Sequence, residues 1–105
     1  MRALSVGTDG GALVLALSGE IDFTNSAAVT GGIREAVADQ NPALVRVDLT
    51  DVLFLDSSGI GVLVAAMRVA NETGAGFRVE NANRNVFDQL RIAGLLEAFD
   101  MRPPA

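Results

Sequence analysis

Leu13, Leu15 and Leu17 take every second place in the chain, with the smaller Val14, Ala16 and Ser18 between and after them. A period of two is that of a strand with one face buried. Another extended run, Ala3 to Val6, precedes it across Thr8-Asp9-Gly10-Gly11, and Asp-Gly-Gly is hairpin chemistry. The two runs predict an antiparallel pair. Beyond Gly19-Glu20-Ile21-Asp22 the period lengthens. From about Asn25 to Gln40, Val29, Ile33, Ala36 and Val37 share one face of a helix, and Arg34, Glu35 and Asp39 share the other. Asn25 is placed to cap that helix through its side-chain oxygen. Gly31-Gly32 weakens it by about 1 kcal/mol per glycine relative to Ala, and Asn41-Pro42 stops it.

Leu44 to Leu49 is a β-rich run, followed by Asp51 and the apolar stretch Val52 to Leu55. Asp56-Ser57-Ser58 opens a second helix that runs to about Thr73 and ends in Gly74-Ala75-Gly76. Phe77 to Glu80 reads as the next strand. Asn83 caps a third helix carrying Val86, Phe87 and Leu90, closed by Gly94, and Leu95 to Phe99 finishes as a short helix or strand. Strands separated by helices imply crossovers onto a partly parallel sheet, with the hairpin adding an antiparallel edge. The expected fold is therefore α/β, a mixed sheet with helices packed on it. The 105 residues form one domain, with no linker, repeat or low-complexity stretch.

Composition narrows the chemistry mostly through what is missing. The chain has no Cys, which excludes disulfides and thiolate metal sites, and no His, the commonest general base and metal ligand. All eight basic residues are Arg, so no Schiff-base or phosphate-loop Lys exists. A serine hydrolase would want Gly-x-Ser-x-Gly and a His. The carboxylates Asp22 and Asp56 remain as conceivable acid–base groups, but loop and cap roles account for them, and no catalytic residue, cofactor or metal is expected. The net charge of −5, with Arg scattered from Arg2 to Arg102, argues against nucleic acid and anionic membranes as partners. No apolar run approaches the roughly 20 residues that cross a bilayer, and no secretory signal opens the chain, so a cytoplasmic location is expected.

One segment stands out, Leu53-Phe54-Leu55-Asp56-Ser57-Ser58-Gly59-Ile60-Gly61. Two serines fall where a strand gives way to a helix, which places hydroxyls at the end of the sheet near solvent. Gly59 and Gly61 follow, and their missing side chains would let another protein approach the backbone. Asp51 and Asp56 stand close by in sequence, and Glu20 and Asp22 join them if the first loop lies at the same end. The plain reading of Ser57 is a helix cap, and that of the glycines is tight packing of helix on sheet. Along the second helix, Ile60, Leu63, Val64 and Met67 form an ordinary core stripe. The adjoining stripe of Gly61, Val62, Ala65, Ala66 and Val69 is also apolar or small. It reads either as a docking face or as a helix buried on two sides.

From about Ala3 to Phe99 the chain resembles the STAS domains of bacterial anti-sigma factor antagonists. Ser57 in Asp56-Ser57-Ser58-Gly59-Ile60-Gly61 matches the family's phosphorylated serine, and Asp22 in Gly19-Glu20-Ile21-Asp22 matches its acidic loop residue beside that serine. Val86, Leu90 and Gly94-Leu95 match the third helix. Phe87 and Asp88 depart from the pattern, where basic residues are frequent, as do Ala93 and Asn25, where hydroxyl residues are usual. The resemblance implies a partner-switching protein. Unphosphorylated, it would bind an anti-sigma factor that is itself a serine kinase and so release a sigma factor. The kinase, with its own ATP and Mg²⁺, would phosphorylate Ser57, and a phosphatase of the PP2C type would reset it. The expected contact surface comprises Asp22, Asp56, Ser58, Gly59 and Gly61 with Val62, Ala65, Ala66 and Val69, on a chain that is monomeric when free. The alternative is a STAS adaptor within a larger signalling or lipid-transport assembly.

Overall fold

The computed structural model describes residues 3–104. Its elements follow the expected order: β1 (Leu4–Asp9), β2 (Ala12–Ser18), α1 (Ser26–Gln40), β3 (Leu44–Asp51), α2 (Ser57–Glu72), β4 (Gly76–Glu80) and α3 (Arg84–Ile92). The strands form one sheet in the order β1-β2-β3-β4. β1 and β2 are antiparallel across Gly10-Gly11, with Asp9 opposite Ala12 and Gly10 at φ 62°, in the left-handed region that glycine enters without strain. β2–β3 and β3–β4 are parallel. Parallel pairing brings the C-terminal ends of β2, β3 and β4 to the same edge of the sheet. The segments that leave those ends, at 19–25, 52–56 and 81–83, are therefore neighbours.

The period of two settles which face is covered. Leu13, Leu15 and Leu17 of β2, Val45, Val47 and Leu49 of β3 and Val79 of β4 are all buried. They meet Val29, Ile33 and Val37 of α1 and Leu63 and Ala70 of α2 in one core, which Val86 and Leu90 of α3 extend. Gly32, which propensity alone marks as a weakness, has a packing reason: a Cβ there would lie 2.9 Å from Leu4 Cδ2, so glycine lets α1 close on β1. On the other face Arg46 lies between Glu80 (2.6 Å) and Asp9 (2.9 Å), linking the two outer strands through the middle of the sheet.

Residues 95–99 are neither helix nor strand, and from 96 on they are a run of turns. Gly94 takes the left-handed conformation at φ 77°, and the Leu95 N–H donates back to the Leu90 carbonyl at 3.0 Å, which closes α3. The chain then folds against β4. The Val79 N–H donates to the Phe99 carbonyl at 3.0 Å, and the Phe99 ring meets Phe77 edge to face at 5.7 Å. A buried aromatic side chain thus ends the core where a regular element was expected.

Candidate functional site

β3 ends at Asp51, and the next four residues have no strand partner; side chains from beyond β4 hold them instead. Asn83 Nδ2 donates to the carbonyls of Val52 (3.2 Å) and Leu53 (3.0 Å). The Leu55 N–H donates to Gln89 Oε1 at 3.0 Å, and Gln89 Nε2 donates in return to the Leu55 carbonyl. So fixed, the segment turns Val52 and Leu55 into the core and leaves Leu53 76% and Phe54 51% exposed.

Asp56 then starts α2. Its backbone is extended (φ −96°, ψ −173°), its carboxylate accepts from the Gly59 N–H at 2.9 Å, and its carbonyl accepts from Ile60 at 3.0 Å. Asp56 is thus the cap, and Ser57 is not. Ser57 is the first helical residue, exposed, and its hydroxyl has no hydrogen-bond partner among the described residues. Ser58 is half-buried and faces a groove between α1 and α2 lined also by Ser26, Thr30 and Arg34. Of the two adjacent serines, Ser57 is the more exposed.

The loop after β2 reaches the same place. Gly19, at φ 70°, donates to the Asp51 carbonyl at 3.2 Å, which ties the loop to the end of β3. A Cβ built on Gly59 would lie 3.5 Å from the Ile21 carbonyl, so the backbone just before Asp22 lies against the first turn of α2. The Asp22 carboxylate accepts from the Thr24 N–H (2.8 Å) and hydroxyl (2.5 Å). These bonds, the hydroxyl's foremost, hold its pKa below the usual carboxylate range. Asp22 is therefore an anion beside α2, committed to Thr24 and not to the Ser57 hydroxyl. Asn25 departs from expectation too. Its side chain makes no helix cap; Oδ1 accepts from the Asp22 N–H at 3.0 Å and Nδ2 donates to the Glu20 carbonyl at 2.8 Å. It staples the loop.

A third carboxylate binds the strand ends together. Asp48 accepts from the Thr50 N–H and hydroxyl and from Asn81 Nδ2. Burial pushes its pKa up, but these hydrogen bonds and the charge of Arg46 outweigh that and leave it lowered.

The stripe on α2 divides. Val62, Ala66 and Val69 are buried, because α2 lies against α1 on one side and the sheet on another. They are core, so the expectation that they form an open docking face is corrected to the two-sided burial weighed beside it. Gly59 is corrected likewise. It is buried, and a Cβ there would meet Leu55 Cδ2 at 2.9 Å, so its missing side chain serves packing. Gly61 is exposed with nothing within 4 Å of such a Cβ, and Ala65 is half-buried. The open surface of α2 near Ser57 is thus Asp56, Ser58, Gly61 and part of Ala65. Sequence reasoning missed the apolar residues that do reach solvent here, Phe23 (84% exposed), Leu53 and Phe54. The signal available was position: Phe23 lies between Asp22 and Thr24 in a polar loop, and Leu53 and Phe54 lie beyond the end of a strand.

No helix among the described residues is long and apolar enough to cross a membrane. The STAS domain family matches residues 3–104. Over 87 residues, 83% of this chain and 74% of the relative, the sequence is 31% identical to the anti-sigma F factor antagonist of Paenibacillus polymyxa. Over 85 residues, 81% and 76% of the two chains, it is 32% identical to the anti-sigma-B factor antagonist of Bacillus subtilis. The fold is similar to the crystal structure of an anti-sigma factor antagonist from Mycobacterium paratuberculosis, with a TM-score of 0.81 and 31% identity over 96% of this chain and 85% of that one. The matched span contains the whole sheet, all three helices described and the Asp56–Gly61 segment, and the chain belongs to the STAS-domain family of anti-sigma factor antagonists.

Proposed function

We propose that the unphosphorylated chain binds an anti-sigma factor at the edge carrying Ser57, and that phosphorylation of Ser57 ends the binding. The observation that carries this reading is the division of labour at the start of α2. Asp56 supplies the cap, so the Ser57 hydroxyl is exposed and free to accept a phosphoryl group without giving up a structural bond. The anti-sigma factor would be the serine kinase, using its own ATP and Mg²⁺, and a PP2C-type phosphatase would remove the group. This chain, acting in the cytoplasm, would be substrate and ligand and supply no catalytic group.

Electrostatics gives the switch its direction. A phosphoserine carries about −1.5 to −2 charges near pH 7. The N-terminus of α2 tolerates an anion through its free N–H groups and dipole, while Asp56, Asp51, Glu20 and Asp22 already make this edge acidic. Two like unit charges about 4 Å apart repel by about 1 kcal/mol in water and about 4 kcal/mol near a protein surface. Desolvating the phosphate against a partner adds to that. A loss of about 100-fold or more in affinity follows, since 1.4 kcal/mol is about tenfold. The test is intact mass after incubation with the kinase and ATP, with calorimetric binding of each form. Ser57→Ala should take no phosphate and bind persistently, Ser57→Asp should bind weakly, and Ser58→Ala should still be phosphorylated. A phosphate gained by Ser57→Ala, or equal affinity of the two forms, would show the assignment to be wrong.

A further inference from the structure

Given that reading of the edge, we propose that Phe23, Leu53 and Phe54 are its anchors, entering apolar pockets on a partner protein whose surrounding surface carries Arg or Lys. Single exposed apolar side chains are ordinary on a protein surface. Their grouping here is not. Of the five large hydrophobic residues exposed among the described residues, these three stand on the two loops that flank Ser57. Phe23 is the most exposed at 84%, and Leu53 follows closely at 76% among the loop residues. The two loops meet where the Gly19 N–H donates to the Asp51 carbonyl, which sets these apolar groups at one end of the sheet among polar residues, and exposed apolar surface rimmed by polar groups marks contact sites.

Both loops are pre-shaped. Asn83 and Gln89 hold the backbone on either side of Phe54, and the Asp22–Thr24 and Asn25 bonds hold the backbone around Phe23. Side chains presented from a fixed backbone lose less freedom on binding, and aromatic anchors of this kind carry a disproportionate share of interface energy.

Charge identifies the occupant. Glu20, Asp22, Asp51 and Asp56 surround the apolar residues along the chain, and none of them takes part in an ion pair among the described residues. Arg84, at the start of the neighbouring α3, lies over the Phe87 ring at 5.9 Å. A second copy would set acid against acid, and anionic lipid or a phosphate backbone would be repelled. A protein with apolar pockets in a basic surround satisfies both halves of the site.

The experiment uses the full chain and a purified anti-sigma factor of the host cell, measured by surface plasmon resonance at several salt concentrations. Phe23→Ser with Leu53→Ser should weaken binding by about 10- to 1000-fold, mainly as faster dissociation, with an unchanged melting temperature. Glu20→Gln with Asp51→Asn should instead slow association and flatten its salt dependence. Val6→Ser, which alters a residue 51% exposed on β1 away from these loops, should bind as the parent does. Binding by the serine variant within about twofold of the parent would overturn the anchors while leaving the proposed partner intact. Association insensitive to salt would overturn the basic surround. No binding by the parent chain would remove the partner reading, and the anchors with it.

Discussion

α1 and α2 are entered from the same edge of the sheet, each past a residue with a short carbonyl-bearing side chain, and the two side chains turn opposite ways. Asp56 turns forward and satisfies the Gly59 N–H of its own helix. Asn25 turns back to Asp22 and Glu20, leaving the start of α1 to the Asp22 carbonyl, which accepts from Ser26 at 2.9 Å. One entrance spends its side chain on the helix and the other on the loop. The residue type therefore marks where a helix begins without saying what it does there. At α2 the result is a rigid start beside an uncommitted hydroxyl; at α1 it is a shaped loop that holds Phe23 outward.

The contrast can be broken by substitution, most severely at Gly59. Gly59→Val puts a branched side chain where even a Cβ lies 2.9 Å from Leu55 Cδ2, and should cost roughly 1–3 kcal/mol in urea unfolding. Parent-like stability would mean that the start of α2 is looser than described. Asp56→Ala removes a helix cap and should cost about 1 kcal/mol, a drop of about 4–8 °C in melting temperature. Asn25→Ala removes bonds that water can partly replace and should cost about 0.5 kcal/mol. Its clearer mark is a shift of the Asp22 amide resonance. If it costs as much as Asp56→Ala, the difference between the two entrances disappears. Gly61→Ala should act in the other direction, stabilising α2 by about 0.5 kcal/mol, because the site is helical and open.

The smallest effect is electrostatic. Thr24 lowers the Asp22 pKa in the folded chain, so ionised Asp22 favours the fold. That contribution is fully present above the ordinary value of 3.8 and is lost as pH falls through the lower, folded value. A carboxyl-carbon NMR titration should place the midpoint below that of an exposed Asp, and Thr24→Ala should return it toward the ordinary value.

The order of elements and the hairpin were readable because period and turn chemistry are local. Leu13, Leu15 and Leu17 alternate whatever surrounds them, and Asp-Gly-Gly turns by itself. Asn83 was readable as a cap for the same reason, and its Oδ1 does accept from the Val86 N–H at 2.8 Å. What failed was tertiary. Nothing in Gly59 and Gly61 as residues tells that one faces Leu55 and the other solvent. The second apolar stripe of α2 has the composition of a docking face and of a doubly covered helix alike, and only the placement of α1 decides. Leu53 and Phe54 look like core because apolar residues usually are; they are outside because β3 has ended and only two of the four following residues can turn inward. The Ser57 segment was legible as a helix start with a serine near solvent, whereas the exposed apolar residues on the loops beside it were not.

Gln89 offers Leu55 one acceptor and one donor, as a neighbouring strand would. A side chain of α3 thus stands in for a fifth strand over the length of a single residue. Sliding by one position would lose both bonds, so this contact fixes register as well as distance. Asp56 follows directly, with no flexible residue between the clamp and the cap. Through Gln89, α3 thus holds in place the residue that precedes the cap of α2.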